Sequence, residues 1–131
     1  MHVFGFQMGI VPSDLQRSLA FYRDVLQLTP MELLPLGDGM ALHRFAIGDA
    51  ILKLIEQPTP VETAPKAERF GMTGIRWFTF YLDPGDIDKV MKRCEDFGGE
   101  IQMPLTQIRE GLRVSIVGDP DGNSVELVEQ S

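Results

Sequence analysis

A single cysteine, Cys94, among 131 residues excludes a disulfide within the chain and any metal cluster built on several thiolates. It falls on an apolar helical stripe, which reads as a small buried hydrophobe rather than a nucleophile. Basic charge is also short. Twelve lysines and arginines stand against 19 aspartates and glutamates, giving −7, and no stretch concentrates cations. That balance excludes a phosphate-backbone partner, so no nucleic acid is expected, and the acidity itself reads mainly as solubility. No apolar run approaches the roughly 18 residues of a membrane span, and "MHVFGFQMGIVP" lacks the basic start and long apolar stretch of a secretion signal. The expected location is cytoplasmic, with no membrane partner.

What is present suits a soluble globular chain: 44% hydrophobic residues, 24% charged, and a length that fits one compact domain, 1–131. Its first half opens with an alternating "QMGIV". "PSDLQRSLAFYRDVLQL" follows, with Leu15, Leu19, Tyr22 and Leu26 at helical spacing, and Ser13 with Gln16 has the form of a capping box. Three strands are expected next, in "MELLPL", "MALHRFAIG" and "AILKLIEQ", with turns at Gly37-Asp38-Gly39 and Gly48-Asp49.

The second half repeats this β-α-β-β-β order. "IRWFTFYLD" reads as a strand and "DIDKVMKRCEDFGG" as a helix with Ile87, Val90, Met91, Cys94 and Phe97 on one face. "EIQMPL", "LRVSIVG" and "NSVELVEQ" supply three more strands, the last two joined by the turn-rich "DPDGN". Gln7 to Trp77 is 70 residues, Leu15 to Ile87 is 72, and Lys53 to Glu126 is 73. So small a drift argues for an internal duplication. Module one spans 1–57 and module two 75–131. The intervening 58–74, rich in Pro and Thr, reads as an exposed linker.

The stretches "SDLQRSLAFYRDVLQL" and "GDPDGNSVELVEQ", with the paired modules, resemble the vicinal oxygen chelate superfamily, which includes glyoxalase I, extradiol dioxygenases and bleomycin resistance proteins. The resemblance implies an α+β fold in which two tandem βαβββ modules form a curved mixed sheet around a cleft, helices on the outer face. It also implies a homodimer that binds a small-molecule ligand or substrate.

Strand alternation sorts the side chains within that fold. Phe6, Met8 and Ile10, Phe78, Phe80 and Leu82, Leu52 with Leu54, and Val125 with Leu127 form helix-facing sets. Gln7, Lys53, Trp77 and Glu126 hold the opposite faces and are expected to converge in the cleft. By resemblance, metal-using relatives place a His or Gln, a Glu, a His and a Glu at these four positions. Gln7 and Glu126 fit that pattern, while Lys53 and Trp77 depart from it. A protonated lysine has no lone pair, and an indole offers only an N–H. Two ligands are too few for a tight site. No cofactor is therefore expected. If a divalent metal is held, Gln7 and Glu126 are its ligands, with His2, His43 or a partner chain completing the set.

Lys53 then reads as a built-in cation near the place where relatives hold a metal, with Glu126 as its counter-ion, or as a lysine snorkelling to solvent along the sheet. Trp77, Thr79 and Tyr81 share one strand face, either as an aromatic wall for a flat ligand or as packing at a contact. His43 is an acid-base candidate or a hydrogen-bonded structural residue. Arg113 and Arg76 are candidates for an anionic group.

Three functions follow from these readings. One is a metal-independent lyase or isomerase acting beside a carbonyl, with Glu126 as base and Lys53 as electrostatic stabiliser. A second is a non-catalytic, drug-sequestering binder resembling the bleomycin resistance members. The third is a divalent-metal-dependent glyoxalase-type lyase or dioxygenase.

Overall fold

The computed structural model describes residues 1–66 and 68–131, and the chain divides into two compact units, Met1–Ala64 and Pro65–Ser131. The division falls inside the segment read as a linker. Each unit carries a mixed sheet with a helix packed on one face, so the α+β class and the two modules hold. The expected curved sheet is observed as two sheets, one of five strands and one of four.

In unit one, β1 (Phe6–Ile10) is followed by α1 (Leu15–Ala20), which widens into π-helical turns over Phe21–Val25. Asp14, not Ser13, caps this helix, its side chain accepting the Arg17 N–H at 3.1 Å. The strand expected in "MELLPL" is observed only in its second half, as β3 (Leu34–Gly37), and a short strand β2 (Thr29–Pro30) precedes that stretch. Both pair with β4 (Met40–Ile47), but their registers differ by one residue, and the register shifts again within β3 between Pro35 and Gly37. Proline at 30 and 35 removes ladder donors there.

The strand β5 (Ala50–Glu56) lies between β4, to which it is antiparallel, and β1, to which it is parallel. A two-residue turn at Gly48 and Asp49 joins β4 to β5 and fixes their register. Phe21, Tyr22 and Val25 are buried with Phe45, Leu52 and Leu54, and the rings of Tyr22 and Phe45 lie 6.5 Å apart. The helix-facing set of β5 is thus as the alternation predicted. Phe6, at the edge of the same face, is exposed.

Unit two repeats the plan: β6 (Trp77–Leu82), α2 (Asp86–Phe97), β7 (Glu100–Arg109), β8 (Leu112–Gly118) and β9 (Ser124–Gln130), in sheet order β6-β9-β8-β7. Ile87, Val90 and Cys94 of α2 are buried, as are Val125 and Leu127 of β9. Burial raises the Cys94 thiol pKa, as expected of a packing residue. Gly98 ends the helix in the left-handed region, φ 78°, its N–H accepted by the Cys94 and Glu95 carbonyls.

The start of α2 is unusual. Its N-cap is Gly85, which has no side chain to accept the free N–H groups. Glu129 of β9 does so instead, its Oε2 accepting from the Gly85 N–H at 2.7 Å and the Ile87 N–H at 3.4 Å. Arg113 of β8, directly across the ladder, donates to Glu129 Oε1 at 2.7 Å and to both Asp88 oxygens. Burial opposes ionisation of Glu129, but the Arg113 guanidinium and the two backbone N–H groups outweigh it and hold the carboxyl below its ordinary range. Hydrogen bonds donated by Arg113 to Asp88 and then to Glu129 raise its own pKa further.

A carboxyl depressed in the folded state contributes stability that is present above its unfolded pKa, about 4.3, and lost as pH falls through the folded value. Glu129→Gln is therefore expected to lower the Tm at pH 7 by about 5 °C. The gap from the parent should close progressively below about pH 4. A gap that persists unchanged at acid pH would show that the carboxylate charge does not anchor α2.

Candidate functional site

Burying Leu52 and Leu54 commits Lys53 to the sheet face turned away from α1. Gln7 shares that face on the parallel neighbour β1, and Lys53 Nζ donates to Gln7 Oε1 at 3.3 Å. The residue beside Lys53 on β1 is Gly9. A Cβ there would meet Lys53 Cε at an ordinary contact distance, 3.5 Å, and press on Ile55 Cδ1 at 3.1 Å, so the bare glycine leaves room chiefly for Ile55.

Glu126 occupies the equivalent place in unit two, between Val125 and Leu127. Its partner on β6 is Thr79, whose hydroxyl donates to Glu126 Oε1 at 2.7 Å. Trp77 and Tyr81 flank Thr79 on the same face, 40% and 72% exposed. Each unit therefore presents one ionisable group on this face of its last strand, held by a neutral hydrogen-bonding partner on the parallel neighbour. Among the described residues neither group has an ion-pair partner.

Two candidates stand on the other face of their sheets. His43 pairs with Leu54 in the β4–β5 ladder, on the α1 side, and its Nε2 lies 2.7 Å from Glu56 Oε1. Its structural reading is the one this geometry supports. Arg113 serves the α2 anchor and is not brought to the Glu126 face. Arg76, just before β6, keeps a buried Nε without a partner among the described residues.

Sequence reasoning missed two features. The residue opposite Lys53 on β4 is Arg44, a second cation on the same face. The two-residue turn at Gly48-Asp49 carried the signal, since it sets the β4 register. The other feature lies in the linker, whose later part is not free. Lys66 donates to Glu100 at 2.6 Å and Arg69 to Gln102 Oε1 at 2.7 Å, while Ser124 donates to the same Gln102 oxygen. Lys66, Glu68, Arg69 and Phe70 from this stretch and Glu100, Gln102 and Ser124 from the sheet line an open pocket of about 440 Å³. Phe70 meets Trp77 edge to face at 5.1 Å. The volume suits a small molecule. No composition signal separates a strap of this kind from a free linker, because two long polar side chains and one ring hold it.

Within each unit, the described side chains at these positions supply a single metal donor. Unit one offers Gln7 Oε1, already facing the Lys53 ammonium, and unit two offers Glu126. Among the described residues no group of three His, Cys, Asp or Glu side chains is placed to hold an ion.

Residues 2–127 match the family model described as the Glyoxalase/Bleomycin resistance protein/Dioxygenase superfamily. Solved structures agree. A lactoylglutathione lyase from Agrobacterium tumefaciens is 28% identical, with TM-score 0.62 over 95% of this chain and 91% of its own. A glyoxalase family protein from Bacillus cereus superposes with TM-score 0.75 at 18% identity, covering 95% and 91%. The fosfomycin resistance protein FosX from Mesorhizobium loti gives 0.62 at 18%, covering 99% and 92%. Among curated proteins none matches the chain significantly.

If the strap shields the indole, Phe70→Ala should red-shift the emission of Trp77, the only tryptophan, and increase its quenching by acrylamide. Emission and quenching identical to the parent would mean that Phe70 does not seat on Trp77.

Proposed function

The chain belongs to the Glyoxalase/Bleomycin resistance protein/Dioxygenase superfamily, and from that premise we propose a metal-independent lyase or isomerase acting beside a carbonyl. Glu126 is its general base and Lys53 its electrostatic stabiliser. One observation carries this reading: the duplicated strands place an ammonium and a carboxylate at equivalent positions of the two modules, each on the face away from its own helix and each steadied, among the described residues, by a neutral partner. A group tied into a tight salt bridge is occupied structurally, as Arg113 is, whereas Lys53 and Glu126 keep capacity for a ligand. Likeness to a lactoylglutathione lyase supports the lyase class.

The chemistry balances simply. Glu126 takes a proton from the carbon next to the carbonyl, and the C–H electron pair moves onto the carbonyl oxygen as an enolate. The Lys53 ammonium stabilises that developing charge. Returning the proton to the opposite face of the same carbon re-forms the carbonyl and completes an epimerisation, and expelling a leaving group β to the carbonyl, which takes up the proton held by Glu126, completes an elimination.

The strap pocket beside Trp77 favours a second reading, a binder that holds a small flat molecule without converting it. Proton NMR of small carbonyl compounds in deuterated buffer separates the two. The enzyme reading expects exchange or conversion that falls by about 10²–10⁴-fold in Glu126→Gln. Saturable quenching of Trp77, with every compound recovered unchanged and unexchanged, would establish the binder instead.

After exposure to zinc, nickel, manganese or ferrous iron and desalting, the protein is expected to retain no stoichiometric metal. Retention of about one ion per chain would overturn the metal-independent assignment.

A further inference from the structure

Arg44 and Lys53 are direct partners in the antiparallel β4–β5 ladder and stand on the same face. Side chains so paired have Cβ atoms about 4.5–5.5 Å apart, and like charges there are destabilising. Natural sheets usually relieve such a pair with a carboxylate. Here none lies within ion-pair distance of either cation among the described residues. In module two the residue across from Glu126 is Ile116, so the duplication did not require a charge at this position.

Both cations are oriented rather than loose. Arg44 donates from Nη2 to the Glu32 carbonyl at 3.0 Å, and its Nε is buried without a partner. Lys53 lies beside bare Gly9 and reaches Gln7, leaving two of its three N–H donors unassigned. Around them the face is apolar, with Leu42, Ile51 and Ile55 partly buried. An apolar surround strengthens the attraction for an anion. The surplus is local, since the chain as a whole carries −7.

We infer that Arg44, Lys53 and Gln7 form an anion site on module one, and that its ligand is the carboxylate of a small 2-oxo acid. Two cations suit such a molecule. Arg44 pairs with the permanent carboxylate, whose planar oxygens match a guanidinium. Lys53 then faces the neighbouring oxo oxygen, where negative charge develops when a proton leaves the adjacent carbon. This names the substrate class and rests on the proposed carbonyl chemistry for its use, though the binding itself does not.

The test titrates the full chain with pyruvate and, separately, with its uncharged methyl ester, following backbone amide shifts by NMR at low ionic strength. Pyruvate is expected to shift the amides of Gln7, Gly9, Arg44 and Lys53. The ester should bind at least about 10-fold more weakly, and Arg44→Gln and Lys53→Gln should each weaken pyruvate by a similar factor. Arg44→Lys keeps the charge and is expected to restore part of the loss, which separates lost charge from a damaged fold. Equal shifts with acid and ester, no shifts at these amides, or Arg44→Gln binding like the parent would overturn the site. Because the titration reads binding alone, bound pyruvate that exchanges no proton would count against the proposed reaction and leave the anion site standing.

Discussion

Side chains of a strand alternate between its faces, and the last strand of each module has two residues that must be buried under a helix. Once Leu52 and Leu54 are in the core, Lys53 has only the other face, and Val125 with Leu127 commits Glu126 in the same way. A slip of one residue would bury an ammonium or a carboxylate and expose two aliphatic side chains. The placement of each charged group is therefore held in register by the hydrophobic core of its own module, not by contacts among polar groups. This explains why neutral partners as modest as Gln7 and Thr79 suffice to position the charged groups.

The two modules share a plan and have diverged in how they secure it. Glu56 and Glu129 occupy equivalent places on β5 and β9. In module one Glu56 meets His43 at the sheet surface, whereas in module two Glu129 meets Arg113 and caps a helix that begins with a glycine. A helix capped by its own Asp14 has no need of a strand carboxylate, which left Glu56 free to vary its partner. Duplicated structure thus separates what the fold demands at a position from what later use has added to it.

Alternation made the β5 and β9 faces legible in the sequence because each has strictly buried neighbours. Pairing between strands was harder to read. His43 and Arg44 are adjacent, and which of them shares a face with Lys53 depends on the antiparallel register. The two-residue turn at Gly48-Asp49 determines that register, so the information was present in the sequence. Arg113 is different: five residues, 119–123, separate β8 from β9, and their path is set by hydrogen bonds from the Asp121 and Asn123 N–H groups to Asp119 that no simple spacing encodes. The attachment of Lys66 and Arg69 was illegible for a related reason, since it rests on partners more than thirty residues away.

Gly9 and Thr79 stand at one position of the duplicated plan, beside Lys53 and Glu126. The Glu126 carboxylate gains a hydrogen bond from the hydroxyl at that spot. In module one a side chain at position 9 would meet the Lys53 stem only at ordinary contact distance, 3.5 Å, but would press on Ile55 Cδ1 at 3.1 Å. The bare position on β1 is thus tied to the aliphatic residue two places beyond the lysine. A larger residue there would disturb the apolar surround of the ammonium before it touched the ammonium's own stem.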